Sequence, residues 1–275
     1  MTTPPLLMKN VEDCVDYIIA KVGKDIRLGL PLGLGKPPQL VNALYRRAKA
    51  DPTLHLTILT ALSLEVPSTG KGLQKALLEP IFKRVFGNYP GLDYMRDIHA
   101  GCVPPNVDVH EFFFKSGSLL SNDYAQQRYI STNYTHAPRD ILNYHTNVVC
   151  QLVAHRVRDG KDEYSLSCNP EVSLDLLGGL EERKARGETV LIIGQLHDEL
   201  PFMVNDAQVE PDHFDALISN PDYSTTLFAP PNQAVSTTDY MIGLHTSALI
   251  RDGGTLQIGI GQVGEASTLP NLLRL

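Results

Sequence analysis

The stretch DIRLGLPLGLGKPPQLVNALYRRAKADPTLHLTILTALS, residues 25–63, decides the fold class. It predicts a strand at Ile26–Leu30, a Gly/Pro loop, an amphipathic helix at Pro38–Lys49 and a second strand at Leu54–Thr60, because helical spacing of apolar residues separates two short apolar runs. Strand, helix and strand in this order form a βαβ unit. The two strands are therefore expected to run parallel and to be covered on both faces.

The same alternation returns after residue 146. The sequence predicts strands at Asn147–Val157 and Glu188–Leu196, a hairpin at DGKDEYSLS, a helix within LDLLGGLEERKARG and a last strand at GTLQIGI, residues 254–260. Helices are also predicted at Val11–Val22 and Leu73–Phe86. Elsewhere in residues 65–145, Gly, Pro and Asn interrupt every regular pattern.

These patterns predict an α/β fold with a mostly parallel open sheet flanked by helices. We expect one domain over residues 1–275, with a core of residues 25–64 and 146–275 and an irregular insertion or flap at 65–145. No internal period indicates a repeat architecture.

Composition excludes several classes of function. The chain has 24 Lys+Arg against 31 Asp+Glu, a net charge of −7, which disfavours binding to nucleic acid or to an anionic membrane. The four cysteines are far apart and form no C-x-x-C pair, as is typical of a reducing compartment. With no signal-peptide pattern and no long apolar span, we expect a soluble cytoplasmic protein.

Two glycine-rich loops each lead into a predicted helix. The first contains Gly33, Gly35 and Lys36, and the second contains Gly259, Ile260, Gly261, Gln262 and Gly264 in a G-x-G-x-x-G arrangement. Such loops bring backbone N–H groups close to phosphate or to a developing oxyanion, although glycines at these positions also simply make tight turns. Both interpretations remain open from the pattern alone.

Other motifs give weaker signals. A dinucleotide site needs a second strand and an acidic residue after the G-x-G-x-x-G loop, and the chain ends before either. STGKGLQKAL lacks the first glycine and the Ser/Thr of a phosphate-binding loop. LHDELP, with His197, Asp198 and Glu199, is interpreted as a solvated loop, and no spacing of histidines predicts a metal site. No G-x-S-x-G nucleophile motif occurs.

Five segments of the chain form a recognisable set: DIRLGLPLGLGKPPQLVNALYRRA, YISTNYTH, NVVCQLVAHRVRDGKDEYSLSCNPEV, LIIGQLHDELP and GLHTSALIRDGGTLQIGIGQVGEA. Together they resemble the acetyl-CoA hydrolase/transferase family, which is related to 4-hydroxybutyrate CoA-transferase within the class I CoA-transferases. The last segment is the most specific, and its Gly259, Ile260, Gly261, Glu265 and Ala266 match the family's loop. The resemblance runs from about Asp25 to the end of the chain.

The resemblance implies that this chain is an amino-terminal half and that it binds acyl-CoA. In the family a glutamate attacks the thioester and then carries CoA to an acceptor carboxylate, while N–H groups of glycine loops hold the oxyanion. Coenzyme A is thus a substrate, and no permanently bound cofactor is implied. The family's glutamate lies in the second half, so we expect it beyond Leu275. Glu265 instead matches an acidic position where the following helix begins.

The remaining expectations concern partners, one mismatch with the family and the alternative functions. Leu269, Leu272, Leu273 and Leu275 predict an apolar helix end that docks on a missing carboxyl-terminal half or a partner subunit, and we expect a homo-oligomer. His197 stands where relatives commonly have Asn. The alternatives are a non-catalytic CoA-binding or assembly domain and an NAD-dependent oxidoreductase.

Overall fold

The computed structural model describes residues 4–229, 234–259 and 261–272. The contacts within the chain divide it into two compact units, residues 1–227 and residues 228–275. The side chains of residues 268–275, which include the predicted apolar helix end, lie outside the described part.

The first unit is built on one sheet whose strands alternate with helices. Its strands are β1 (Leu6–Met8), β2 (Asp25–Gly29), β3 (His55–Thr60), β4 (Val107–Glu111), β5 (Val148–Arg158), β6 (Lys161–Ser165), β7 (Leu191–Leu196), β8 (Gln208–Val209) and β9 (Ala216–Ile218). Its helices are α1 (Val11–Val22), α2 (Pro38–Ala50), α3 (Gly72–Phe86), α4 (Asp93–Ala100), α5 (Asp123–Gln127), α6 (Ala137–Asn143) and α7 (Glu171–Ala185).

The sheet has the order β1-β9-β7-β5-β2-β3-β4, and every neighbouring pair in this order is parallel. Strand β6 pairs antiparallel with the extended end of β5 and with β8. The predicted α/β class with a mostly parallel open sheet is therefore confirmed. From β2 the chain proceeds to β3 and β4 on one side, whereas β5, β7 and β9 follow on the other. The order of strands thus reverses between β2 and β5.

Side-chain alternation along the strands produces a core on each face of the sheet. Ile26 and Val148 belong to the cluster that contains α1 and α2, whereas the adjacent Val149 belongs to the cluster beneath α7. The βαβ unit predicted from residues 25–63 is present. The strands β2 and β3 are parallel, α2 connects them along the chain, and α2 buries Leu40, Leu44 and other apolar side chains.

Residues 65–145, predicted as an insertion, contribute a strand to the sheet. Strand β4 pairs with β3 over five residues, from Leu56 opposite Val107 to Thr60 opposite Glu111. The segment VDVHE is short and alternates apolar with charged residues, so its pattern gives a weak strand signal. Helix α4 also contacts α2.

The second unit contains α8 (Thr237–Ser247) and α9 (Gln262–Leu272), which contact each other. Ser236 caps α8 by accepting a hydrogen bond from the Asp239 N–H, and the Asp239 side chain accepts one in return from the Ser236 N–H. The strand predicted at 254–260 is not present over 254–259, because these residues have no pairing strand, and Ile260 lies outside the described residues. In neither unit does a described helix have the length and apolar character needed to cross a membrane.

Candidate functional site

The candidate site lies where the parallel strands of the first unit end. In open α/β sheets, ligands bind outside the carboxyl ends of the strands at the point where the strand order reverses. Here that point is between β2 and β5. The β2–α2 loop, residues 30–37, leaves the sheet there and contains Gly33, Gly35 and Lys36.

The first glycine loop is packed inside the first unit. Gly33 and Gly35 are both buried within a short 3-10 turn. A Cβ atom on Gly35 would lie 2.9 Å from the Cβ of Asn169 and 3.0 Å from the Cγ of Pro31, so only glycine permits this close approach. The Gly35 N–H donates to the Leu32 carbonyl at 3.0 Å. Gly35 therefore lets the loop pack closely against the segment that follows β6.

Lys36 places a buried ammonium group beside the end of β3. The residue is 2% exposed, and its Nζ donates to the carbonyl of Ala61 at 2.6 Å and to that of Leu62 at 3.2 Å. Burial lowers the pKa of Lys36 to about 7, while the nearby charge of Glu111 opposes this shift. Leu62 has a φ of 48°, so the ammonium group fastens a turn in left-handed backbone.

Glu111, the last residue of β4, contributes a buried carboxylate to the same turn. It is 2% exposed; its Oε2 accepts a hydrogen bond from the Ser63 N–H at 3.2 Å, and its Oε1 has no partner among the residues that the structure describes. Burial raises the pKa of Glu111, and the charge of Lys36 opposes the rise. Next to it, the Ser63 and Tyr94 hydroxyls are hydrogen-bonded at 2.6 Å.

Sequence reasoning missed Glu111, although a signal exists. Val107, Val109 and Glu111 lie two residues apart on β4, and all three are buried. A carboxylate in an otherwise apolar period-2 row marks a buried polar position, and such positions concentrate at functional sites.

Two glutamines occupy the other side of the reversal point. Gln195 on β7 is completely buried; its Nε2 donates to Gln39 Oε1 at 2.8 Å, and no described residue pairs with its own Oε1. Gln151 on β5 donates to the carbonyls of Leu166 and Asn169, and its Oε1 accepts from the Ser173 hydroxyl. These groups can bind or orient a polar ligand, and none of them is a nucleophile.

His197, in the LHDELP segment, is a buried structural residue. Its Nε2 accepts a hydrogen bond from the Thr225 N–H at 2.9 Å, and burial lowers its pKa. Asp198 accepts a hydrogen bond from the Ser224 hydroxyl. The segment therefore fastens residues 224–225 to the end of β7. Among the described residues, His, Cys, Asp and Glu side chains form no group of three able to hold a metal.

The second glycine loop lies in the second unit and leads directly into α9. Gly259 and Gly261 are exposed, whereas Gln262 and Gly264 are partly buried. A Cβ atom on Gly264 would clash with the Gly259 carbonyl oxygen, so the turn requires glycine there. The Gln262 Nε2 donates to the Ala234 carbonyl at 3.2 Å. The predicted site residue Ile260 lies outside the described residues.

Helix α9 begins at Gln262, so this exposed turn stands at a helix amino terminus. The first N–H groups of a helix have no partners within it, and they suit an oxyanion or a phosphate oxygen. The structure thus places the predicted residues in two groups. Gly33, Gly35 and Lys36 lie in the first unit, and Gly259, Gly261, Gln262 and Gly264 lie in the second.

Comparisons with known proteins identify the fold. No protein-family model matches the sequence, and no curated protein matches it. RipA from Yersinia pestis is similar in structure, with a TM-score of 0.54 and 18% sequence identity over 95% of this chain and 52% of the RipA chain. A point mutant of RipA has a TM-score of 0.57 at 15% identity, over 95% of this chain and 51% of its own.

A 4-hydroxybutyrate CoA-transferase from Porphyromonas gingivalis has a TM-score of 0.48 at 15% identity, over 96% of this chain and 51% of its own. At these identities the similarity to RipA shows the fold alone, which is an α/β fold built on a mostly parallel sheet. The chain spans about half the length of these solved structures.

Proposed function

We propose that this chain is the acyl-CoA-binding half of a CoA-transferase or acyl-CoA hydrolase. The observation that carries the proposal is the turn with the exposed glycines Gly259 and Gly261, which leads into the amino terminus of α9 within a chain of CoA-transferase-like fold. The N–H groups of the turn would hold the thioester carbonyl oxygen as it gains negative charge.

The chemistry divides between this chain and another stretch of polypeptide. A glutamate carboxylate, supplied from beyond Leu275 or by a partner subunit, would attack the thioester carbonyl and release CoA as the thiolate, leaving a mixed anhydride. The thiolate would then attack the glutamyl carbonyl of that anhydride, releasing the acid and forming a glutamyl-CoA thioester. An acceptor carboxylate would then attack the glutamyl-CoA thioester and expel the CoA thiolate, which would attack the acceptor's carbonyl in the new anhydride to give the product acyl-CoA and free the glutamate. Water attacking the same thioester would instead release free CoA and the glutamate.

Ligand binding tests the proposal directly. We expect acetyl-CoA to raise the melting temperature of the protein and to bind with a measurable heat, whereas NAD should do neither. In Gly261→Asp, a carboxylate at the turn should repel the thioester carbonyl and abolish both effects. Gly253→Asp is the matched control, because Gly253 is also an exposed glycine with positive φ in the second unit.

Equal binding of acetyl-CoA by both variants would show that the turn is not the site, and stabilisation by NAD alone would favour an oxidoreductase. Since the attacking glutamate is assigned elsewhere, the chain by itself should hydrolyse acetyl-CoA no faster than Gly261→Asp does. Turnover above that control would place the nucleophile in this chain.

The second candidate is a non-catalytic CoA-binding or assembly domain, and helix α3 favours it. No side chain of α3 is buried, and Leu73 and Leu77 are 91% and 67% exposed. Such a row of apolar side chains on one helix is typical of an interaction surface. Supplying a glutamate-bearing second half in trans separates the candidates, because turnover appears only if the domain belongs to an enzyme.

A further inference from the structure

A cavity opens at the amino ends of the strands, on the opposite edge of the sheet from the β2–α2 loop. Its volume is about 560 Å³, which lies within the range of small-molecule sites. Three neighbouring strands, β2, β3 and β4, contribute most of its lining, and the end of α6 completes it. The side chains that matter here are Asp25, Arg27, Thr57, Asp108, His110 and Tyr144.

Three of these side chains form a row across the sheet. Arg27 lies opposite Thr57 in the pairing of β2 with β3, and Thr57 lies opposite Asp108 in the pairing of β3 with β4. Residues in register on parallel strands point to the same face, and the strands are about 4.8 Å apart. A guanidinium, a hydroxyl and a carboxylate therefore stand side by side and line the cavity.

Each member of the row can bind a further partner. Arg27 pairs with Asp25 at 2.9 Å, and its five N–H groups exceed what that pair uses. Asp108 Oδ1 accepts from Arg128 Nε at 2.8 Å, whereas no described residue donates to its Oδ2. The Thr57 hydroxyl likewise has no hydrogen bond to the described part of the chain. Both ion pairs are partly exposed and contribute little to stability, so a ligand can share their charges at low cost.

The charges of the lining select the kind of ligand. Asp25 and Asp108 outnumber Arg27, so a ligand that carries only negative charge is repelled. An amine alone can bind Asp108, but it leaves the spare donors of Arg27 and Thr57 without an acceptor. A zwitterion matches the whole row, because its carboxylate can accept from Arg27 and Thr57 while its ammonium group donates to Asp108.

Two aromatic rings continue from the row toward α6. His110 lies two residues beyond Asp108 on β4 and hence on the same face, and its ring centroid is 5.2 Å from that of Tyr144. Burial lowers the pKa of His110, so its ring is uncharged near neutral pH and does not repel an ammonium group. The two rings offer flat apolar faces on which an aromatic side chain can pack.

We propose that this cavity binds an α-amino acid with an aromatic side chain. Arg27 and Thr57 would hold its carboxylate, Asp108 would hold its ammonium group, and its ring would lie against His110 and Tyr144. The inference goes beyond the proposed function, because it requires no CoA chemistry and places a second ligand at the other edge of the sheet from the candidate site.

L-Phenylalanine is the probe, with two analogues that each lack one of its charges. The analogue 3-phenylpropionate has no ammonium group, and phenethylamine has no carboxylate. Ligand-observed NMR titration of the chain should show saturable binding of L-phenylalanine. Each analogue should bind roughly tenfold more weakly or less, because it forfeits a charged hydrogen bond.

Asp108→Asn keeps the shape of the side chain and removes its charge. It should weaken the binding of L-phenylalanine roughly tenfold or more, and it should not weaken any residual binding of 3-phenylpropionate. Asp162→Asn is the matched control, because Asp162 lies on β6 outside the lining and is also an exposed aspartate in an ion pair, with His155 at 2.7 Å. This control should bind L-phenylalanine like the natural chain.

Thr57→Val removes the hydroxyl at nearly constant volume, so weaker binding by this variant at an unchanged melting temperature would support the site even if Asp108→Asn folds poorly. The inference is overturned if L-phenylalanine does not saturate, if either analogue binds as tightly, or if Asp108→Asn and Thr57→Val both bind like Asp162→Asn. Displacement of L-phenylalanine by acetyl-CoA would also overturn it, because the two ligands would then share a site. Failure of acetyl-CoA to bind would overturn the proposed function and leave this inference standing.

Discussion

Lys36 and Glu111 are buried opposite charges that act on the same turn. Lys36 donates to the carbonyls of Ala61 and Leu62, and Glu111 accepts from the N–H of Ser63, so both bind backbone that follows β3. Buried charges are costly unless they are paired and hydrogen-bonded. The arrangement therefore fixes residues 61–63 at the edge where the candidate site lies.

Replacing Lys36 should destabilise the protein strongly. Lys36→Met leaves two buried carbonyls without a donor. Below about pH 7, where Lys36 keeps its proton, it also leaves Glu111 without a compensating charge. We therefore expect a loss of roughly 2–4 kcal/mol in the free energy of unfolding, measured with urea in that range of pH. The double variant Lys36→Met, Glu111→Gln should lose less free energy of unfolding than the two single variants added together, because it no longer buries an uncompensated carboxylate. Lys49→Met, at an exposed lysine paired with Asp97, should change stability by less than about 1 kcal/mol. A loss in Lys36→Met no larger than that in Lys49→Met would contradict this account.

The stability contributed by Lys36 should depend on pH. Burial lowers the pKa of Lys36 from 10.5 to about 7 in the folded protein. Between these values the unfolded chain binds the proton and the folded chain does not, so stability rises with pH across this window and the contribution is lost as pH falls through about 7. The difference in free energy of unfolding between the natural chain and Lys36→Met should increase with pH, by at most about 1.4 kcal/mol per unit. A flat or falling difference would show that Lys36 stays charged.

At the scale of elements, the regular parts of the fold could be predicted from sequence. Helix α1 has the predicted bounds Val11–Val22, and α2 and β3 differ from their predictions by a single residue. These segments carry clear apolar periodicity and clear breaks such as Asp51-Pro52. Local pattern is sufficient where an element buries one well-defined face.

Sequence could not predict elements whose state depends on distant partners. Strand β4 is a strand because β3 offers it a parallel edge, and its own pattern is short and half polar. Residues 254–259 include strand-forming residues, and yet no strand in the described part of the chain pairs with them. The buried roles of Glu111 and Gln195 likewise follow from the order of the strands, which the sequence does not state.

Alanine substitution should have opposite effects on stability at two glycines that lie within regular elements. A Cβ atom on Gly194 in β7 would lie 2.5 Å from Leu217, 2.9 Å from Val153 and 3.1 Å from Phe214, so Gly194→Ala overpacks the core and should cost about 1–3 kcal/mol. At Gly178 in α7 nothing lies within 4 Å, and Gly178→Ala should stabilise by roughly 0.5–1 kcal/mol. Thermal unfolding of the two variants compares them. Equal shifts would mean that packing around β7 differs from that described.

For the molecule as a whole, burial is distributed very unevenly among helices of similar length. Helix α2 has thirteen residues and buries eight of them, whereas α3 has fifteen residues and buries none. In water an isolated helix of this length is only marginally stable, so packing decides which helices persist. The first unit therefore combines a firmly held sheet with a helix that draws little support from it.

Hydrogen exchange should reveal this difference in stability. We expect the slowest amides in β5, β7 and β2 at the centre of the sheet, followed by α2, because opening them requires unfolding of the first unit. Amides of α3 and of the edge strand β1 should exchange orders of magnitude faster through local opening. Mass spectrometry of peptic peptides measures these exchange rates. As a control, Leu77→Gln should leave the protection of β5 unchanged and should change the free energy of unfolding by no more than about 0.5 kcal/mol. Protection of α3 equal to that of α2 would mean that another surface covers its exposed row in solution.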